Sequence, residues 1–69
     1  MGAEARDAAL ALANALADSD ASVRREAAKA LGDIGAQARE AVPSLQKALM
    51  DPDEAVRSEV AVALKKIGV

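Results

Sequence analysis

The sequence contains no cysteine and no histidine. Without cysteine there is no disulfide staple and no thiolate for a metal or redox centre, and without histidine the commonest general base and metal ligand is missing. Phenylalanine, tyrosine and tryptophan are absent as well, which removes the platforms on which unpaired bases stack. Nor does one sign of charge prevail. Nine basic and eleven acidic residues leave a net charge of −2 with the signs interspersed, so there is neither a polybasic nucleic-acid footprint nor an acidic tail. The longest apolar run, Ala8 to Ala13, falls far short of the ~20 residues of a membrane span and lacks signal-peptide flanks. These absences predict a soluble, cytoplasmic chain that binds neither nucleic acid nor membrane and carries no cofactor or metal.

What is present is aliphatic and small. Of 69 residues, 19 are alanine and 17 are larger aliphatics. That suffices for one core at most, which excludes a multidomain enzyme with a buried catalytic cleft. Helices meeting through Ala and Leu approach at the short end of the ~8–10 Å range of interaxial distances, which suits tightly stacked hairpins.

The organisation follows from an internal repeat. Displacing the sequence by 33 positions lays residues 3–35 on residues 36–68 without a gap, and 17 of the 33 pairs are identical. The identities include Arg6/Arg39, Leu12/Leu45, Leu16/Leu49, Asp18/Asp51, Asp20/Asp53, Val23/Val56, Arg24/Arg57, Leu31/Leu64 and Gly35/Gly68. The expectation is a single domain, residues 1–69, made of two 33-residue repeats, with Met1, Gly2 and Val69 as overhangs.

Within each repeat the apolar period is helical. Ala5, Ala8, Ala9, Leu12 and Leu16 form one stripe, copied as Ala38, Ala41, Val42, Leu45 and Leu49. Val23, Ala27, Ala30, Leu31 and Ile34 form a second, copied as Val56, Val60, Ala63, Leu64 and Ile67. Between the stripes lie Asp18-Ser19-Asp20 and Asp51-Pro52-Asp53, polar turns whose second aspartate is placed to cap the following helix. Gly35 and Gly68 stand where a left-handed residue ends a helix. Four helices are predicted, over 3–17, 21–34, 37–50 and 54–67.

Two residues interrupt the pattern. Pro43 falls inside the third helix, at the position of Leu10 in the first, and predicts a kink or restart near Val42. Gly32 interrupts the second helix where Lys65 stands in the fourth. It reads as a tolerated loss of roughly 1 kcal/mol near a helix end rather than as a hinge.

Neither the Thr-Pro-Leu-His turn of ankyrin repeats nor the aromatic positions of tetratricopeptide repeats occur. By contrast, Asp51-Pro52-Asp53-Glu54-Ala55-Val56-Arg57, continued by Glu59, Ala61, Ala63, Leu64, Lys66, Ile67 and Gly68, closely resembles the signature of HEAT repeats, in particular their short phycobilisome-lyase-like form. The earlier copy, Asp18 to Arg24 and Ala27 to Gly35, matches nearly as well, and Ala41-Val42-Pro43-Ser44-Leu45 resembles the kinked first helix of that family. Ala9-Leu10 in place of Val-Pro is the one departure. The resemblance implies an all-α fold, an α-solenoid of two helical hairpins, with first helices on the convex and second helices on the concave side. It also implies that Asp18, Arg24, Asp51 and Arg57 form a structural ladder along the turns, with Asp20 and Asp53 as caps. Arginine suits that role, because its fork can bridge carboxylates and helix-end carbonyls of adjacent units.

Candidate chemistry is thin. The serines Ser19, Ser22, Ser44 and Ser58 have no histidine to activate them, and two carboxylates per turn without further loop ligands fall short of a calcium site. No catalytic, cofactor or metal residue is therefore predicted, and a non-catalytic module for protein–protein interaction or self-assembly remains. Its candidate surface comprises Arg25 and Lys29 on the second helix with Ala55, Ser58, Val62 and Val69 on the far side of the fourth. Solenoid units bury their faces on neighbours and usually need ~3 or more repeats, whereas this chain has two and a first helix of mostly alanine and leucine. The expected partner is thus a protein or a second copy, in a homodimer joined end to end or by exchanged hairpins. Two other readings fit the same residues. One is an engineered or excised minimal repeat scaffold without a natural target; the other is a fragment or subunit of a phycobilisome-lyase-like repeat protein.

Overall fold

A computed structural model describes residues 2–69 and the side chains of residues 4–69; the overhanging Met1 lies outside them. The first repeat forms α1 (Gly2–Ala15) and α2 (Ala21–Ile34). The second forms a 3-10 segment (Gly35–Ala41), α3 (Val42–Ala48) and α4 (Glu54–Ile67). The described residues are helical throughout apart from turns, and the bounds of α2 and α4 are those predicted.

The expected third helix, 37–50, restarts at Val42, as Pro43 predicts, and its span is corrected to a 3-10 segment followed by a shorter α-helix. Val42 begins an α-helix with Pro43 in its first turn, where a missing amide costs nothing, and the residues before it wind as 3-10. The physical cause is the proline ring, which cannot sit over the Arg39 carbonyl as an α-helix would require. That carbonyl accepts instead from the Val42 amide, three residues on, and Ala38 leaves helical geometry altogether at φ −93°, ψ 16°. With Leu10 at the equivalent position, α1 runs through unbroken.

Both first helices end alike. The Leu16, Ala17 and Asp18 amides donate to carbonyls three residues back, at 3.1–3.2 Å, and the Leu49, Met50 and Asp51 amides do the same at 3.0–3.3 Å. The tightening ends α1 at Ala15, two residues before the predicted end. The glycines differ. Gly68 is left-handed, φ 98° and ψ 34°, as expected, whereas Gly35 at φ 76° and ψ −142° occupies a region open to glycine alone and turns the chain directly into the 3-10 segment.

The two repeats lie side by side with equivalent parts in register: α2 runs along α4, and α1 along the 3-10 segment and α3. One core results, in which Leu31, Leu45, Val56 and Val60 are the largest fully buried side chains and alanines fill the seams. Three members of the predicted stripes are corrected by burial. Ala8, Val23 and Leu49 are exposed, because their faces of the repeats point away from the neighbouring repeat, while Ala28, on neither stripe, is buried between α2 and α4.

Gly32 also differs from expectation. It is buried in the seam between α2 and α4, and a Cβ there would stand 3.0 Å from the Ala63 Cα. The glycine sets how closely the two helices approach, so its cost in helix propensity is offset by packing rather than merely tolerated.

Candidate functional site

The two aspartate turns sit beside one another, because α2 and α4 start in register. In each, the first aspartate folds back on its own turn: Asp18 Oδ1 accepts from the Asp20 amide and Asp51 Oδ1 from the Asp53 amide, both at 2.8 Å. The second aspartate caps the helix. Asp20 Oδ1 accepts from the Ser22 amide at 2.8 Å, and Asp53 Oδ1 from the Ala55 and Val56 amides at 2.8 and 3.1 Å. Each contact satisfies amides that a helix start would otherwise leave free.

Arg24 ties the turns together. Its Nη1 donates to the Asp18 and Ser19 carbonyls of its own turn, at 2.7 and 3.1 Å. Its Nε and Nη2 cross to the Asp51 carboxylate of the next, at 2.7 and 3.2 Å, in a bidentate pair whose side chains are only 14% and 7% exposed. Arg57 repeats the first half of this arrangement, with Nη1 donating to the Asp51 carbonyl at 2.6 Å. Asp51 is therefore the hub, held by both arginines and holding Asp53.

These contacts set its titration. Burial on its own pushes the Asp51 carboxyl up, but the Arg24 hydrogen bond, the Asp53 amide and the charges of Arg24 and Arg57 together hold it below the ordinary carboxylate range. The same hydrogen bond raises Arg24 further above its usual value. A carboxyl depressed in the folded state contributes stability that is whole above its unfolded value and lost as pH falls through the folded one. Thermal unfolding followed from neutral pH to about pH 2 is thus expected to show a falling Tm below about pH 4, with Asp51→Asn less stable at neutral pH and shallower in acid. Parallel curves for the two proteins would contradict the assignment.

Two further ion pairs join the repeats at the surface: Arg6 Nε to Glu40 Oε1 at 3.4 Å and Lys66 Nζ to Asp33 Oδ1 at 3.5 Å. Asp33 and Lys66 are equivalent positions of opposite sign, a signal the sequence carries, whereas Glu40 is the equivalent of Asp7, the residue after Arg6, so no change of sign between copies announces the first pair. Of the candidate interaction residues only Ala55 takes part in a turn, through the amide that Asp53 caps. Arg25, Lys29, Ser58, Val62 and Val69 are exposed and Ala55 is half-buried. Lys29 and Val62, equivalent positions, line one shallow depression over the seam. Val62 and Val69 are 46% and 67% exposed.

Among the described residues no cluster of three or more carboxylates could hold a metal ion, and no helix is long and apolar enough to cross a membrane. No curated protein and no solved structure shows significant similarity to the chain. The family model of HEAT repeats matches residues 5–69. Paired helices in register, joined at an aspartate-arginine turn and matched by that model over nearly their whole length, place this chain in the HEAT repeat family.

Proposed function

We propose that the chain is a non-catalytic α-solenoid module, a single domain of two stacked hairpins spanning repeats 3–35 and 36–68, that serves protein–protein interaction or self-assembly. HEAT repeats generally mediate contacts between proteins, and the geometry here fits that use. The observation that carries the reading is an asymmetry between copies: Val56 is fully buried against the first repeat, while its equivalent Val23 is 38% exposed. A face that is core in one repeat is open surface in the other. Asp18, Asp20, Arg24, Asp51, Asp53 and Arg57 serve the architecture, and Arg25, Lys29, Ala55, Ser58, Val62 and Val69 form the side surface offered to a protein partner. The smallest self-assembly is a homodimer. Light scattering over a dilution series is expected to show a mass above that of one chain that falls on dilution. A cooperatively folded monomer at every concentration would remove the self-assembly reading.

A further inference from the structure

The repeats of this chain contact one another through three ion pairs: Arg6 with Glu40, Arg24 with Asp51, and Asp33 with Lys66. Moving each pair on by one 33-residue step gives the pairs that a following repeat would present: Arg39 with Asp7, Arg57 with Asp18, and Lys66 with Asp33. All three remain opposite in sign, although the third is reversed relative to its original. The step therefore gives the second repeat two cations, Arg39 and Arg57, and the first repeat two carboxylates, Asp7 and Asp18, that no ion pair among the described residues uses, whereas Lys66 and Asp33 already pair with each other across the internal seam. All six side chains belong to exposed residues.

The turn ladder ends in the same complementary way. Arg57 uses Nη1 on its own turn as Arg24 does, but its Nε and Nη2, the groups that Arg24 sends to Asp51, have no acceptor among the described residues. Asp18 accepts from the Asp20 amide as Asp51 accepts from Asp53, and no guanidinium reaches its carboxylate among the described residues. One half-made joint lies on each face, and the halves fit each other.

Apolar surface agrees. On the first repeat, Leu12, Ala15, Val23 and Ala30 are at least partly exposed, whereas Leu45, Ala48, Val56 and Ala63 are buried. On the second, Leu49 is 40% exposed where Leu16 is 6%. We infer that the outward face of the second repeat docks on the outward face of the first repeat of another copy, head to tail, with Arg39 and Arg57 set against Asp7 and Asp18. This rests on the reading of the chain as an interaction module and names a second copy as its partner. Lys65 makes the joint looser than the internal seam. It occupies the position of Gly32, whose close approach to Ala63 leaves no room for a Cβ without a shift of a few tenths of an ångström. Because the two faces are different, the contact does not close at two copies and extends into a series.

Sedimentation of the wild-type chain at low salt is expected to show masses rising with concentration beyond a dimer, and association weakening at about 1 M salt, where the Debye length is ~3 Å. Arg57→Glu and Asp18→Arg each place like charges across the joint, so each alone should associate at least about tenfold more weakly. Mixed in equal amounts they restore opposite charges at every joint and should assemble again. Asp18 also supports its own turn, so Arg39→Glu with Asp7→Arg, which touch no cap, provides a second swap, with far-ultraviolet circular dichroism checking that every variant is folded. Wild-type assembly that ignores both swaps, or a mixture that stays dissociated, overturns this joint while leaving the interaction reading intact. A wild-type chain that is monomeric throughout overturns the joint and self-assembly together.

Discussion

Leu45→Ala is expected to destabilise the chain by about 2–5 kcal/mol, and the same truncation at its copy, Leu12, by much less. The two leucines occupy equivalent places in sequence and in their hairpins, so local propensity predicts equal effects. Burial separates them: Leu45 is wholly enclosed between the repeats, and Leu12 is half-buried beside a face with no neighbour. Removing buried methyl groups costs their transfer free energy and leaves a cavity, while removing half-exposed ones leaves mainly a change in surface. Folded domains are stable by only about 0.05–0.15 kcal/mol per residue, so Leu45→Ala should remove a large share of the stability of a chain of this length. Urea unfolding followed by circular dichroism measures both variants. Equal losses would show that the hairpins do not stack as described.

Gly32→Leu carries the next largest effect and tests the seam from the other side. Leucine is the better helix former by nearly 1 kcal/mol, so an isolated α2 should gain from the change. In the folded chain the new Cβ would meet the Ala63 Cα at 3.0 Å and the Ala63 Cβ and Lys66 Cδ at 3.3 Å, and the first of these is backbone that cannot turn aside. Crowding of this kind typically costs about 1–3 kcal/mol, and the rest of the leucine side chain adds to it. A net loss is expected, seen as a Tm lower by at least about 4 °C, since one kcal/mol shifts a domain of this size by roughly 4–8 °C. A higher Tm in Gly32→Leu would mean that α2 and α4 are not in close contact there.

Much of this was legible before any coordinates. The bounds of α2 and α4, both aspartate caps and the disturbance at Pro43 follow from rules that act within one helical turn: a carboxylate beside free amides, a ring that collides with a carbonyl four residues back. Where prediction failed, a longer range was involved. Gly32 looked like a mild defect because its reason, the backbone of Ala63, is 31 positions away. Val23 and Leu49 belong to apolar stripes as regular as any, yet they are exposed, since periodicity says which face of a helix is apolar and not whether anything covers it. Gly35, expected in the left-handed region, instead takes φ 76° and ψ −142° and leads directly into the 3-10 segment.

Amino-acid order alone was enough for the helical repeat, its period, its turn chemistry and its family resemblance, because each depends on contacts among near neighbours in the chain or on comparing one copy with the other. Which member of each identical pair lies in the core required the folded arrangement. Two copies of a repeat share one set of intrinsic preferences but have different surroundings, and burial, the depressed Asp51 carboxyl and the half-made pairs at Asp18 and Arg57 all arise from those surroundings.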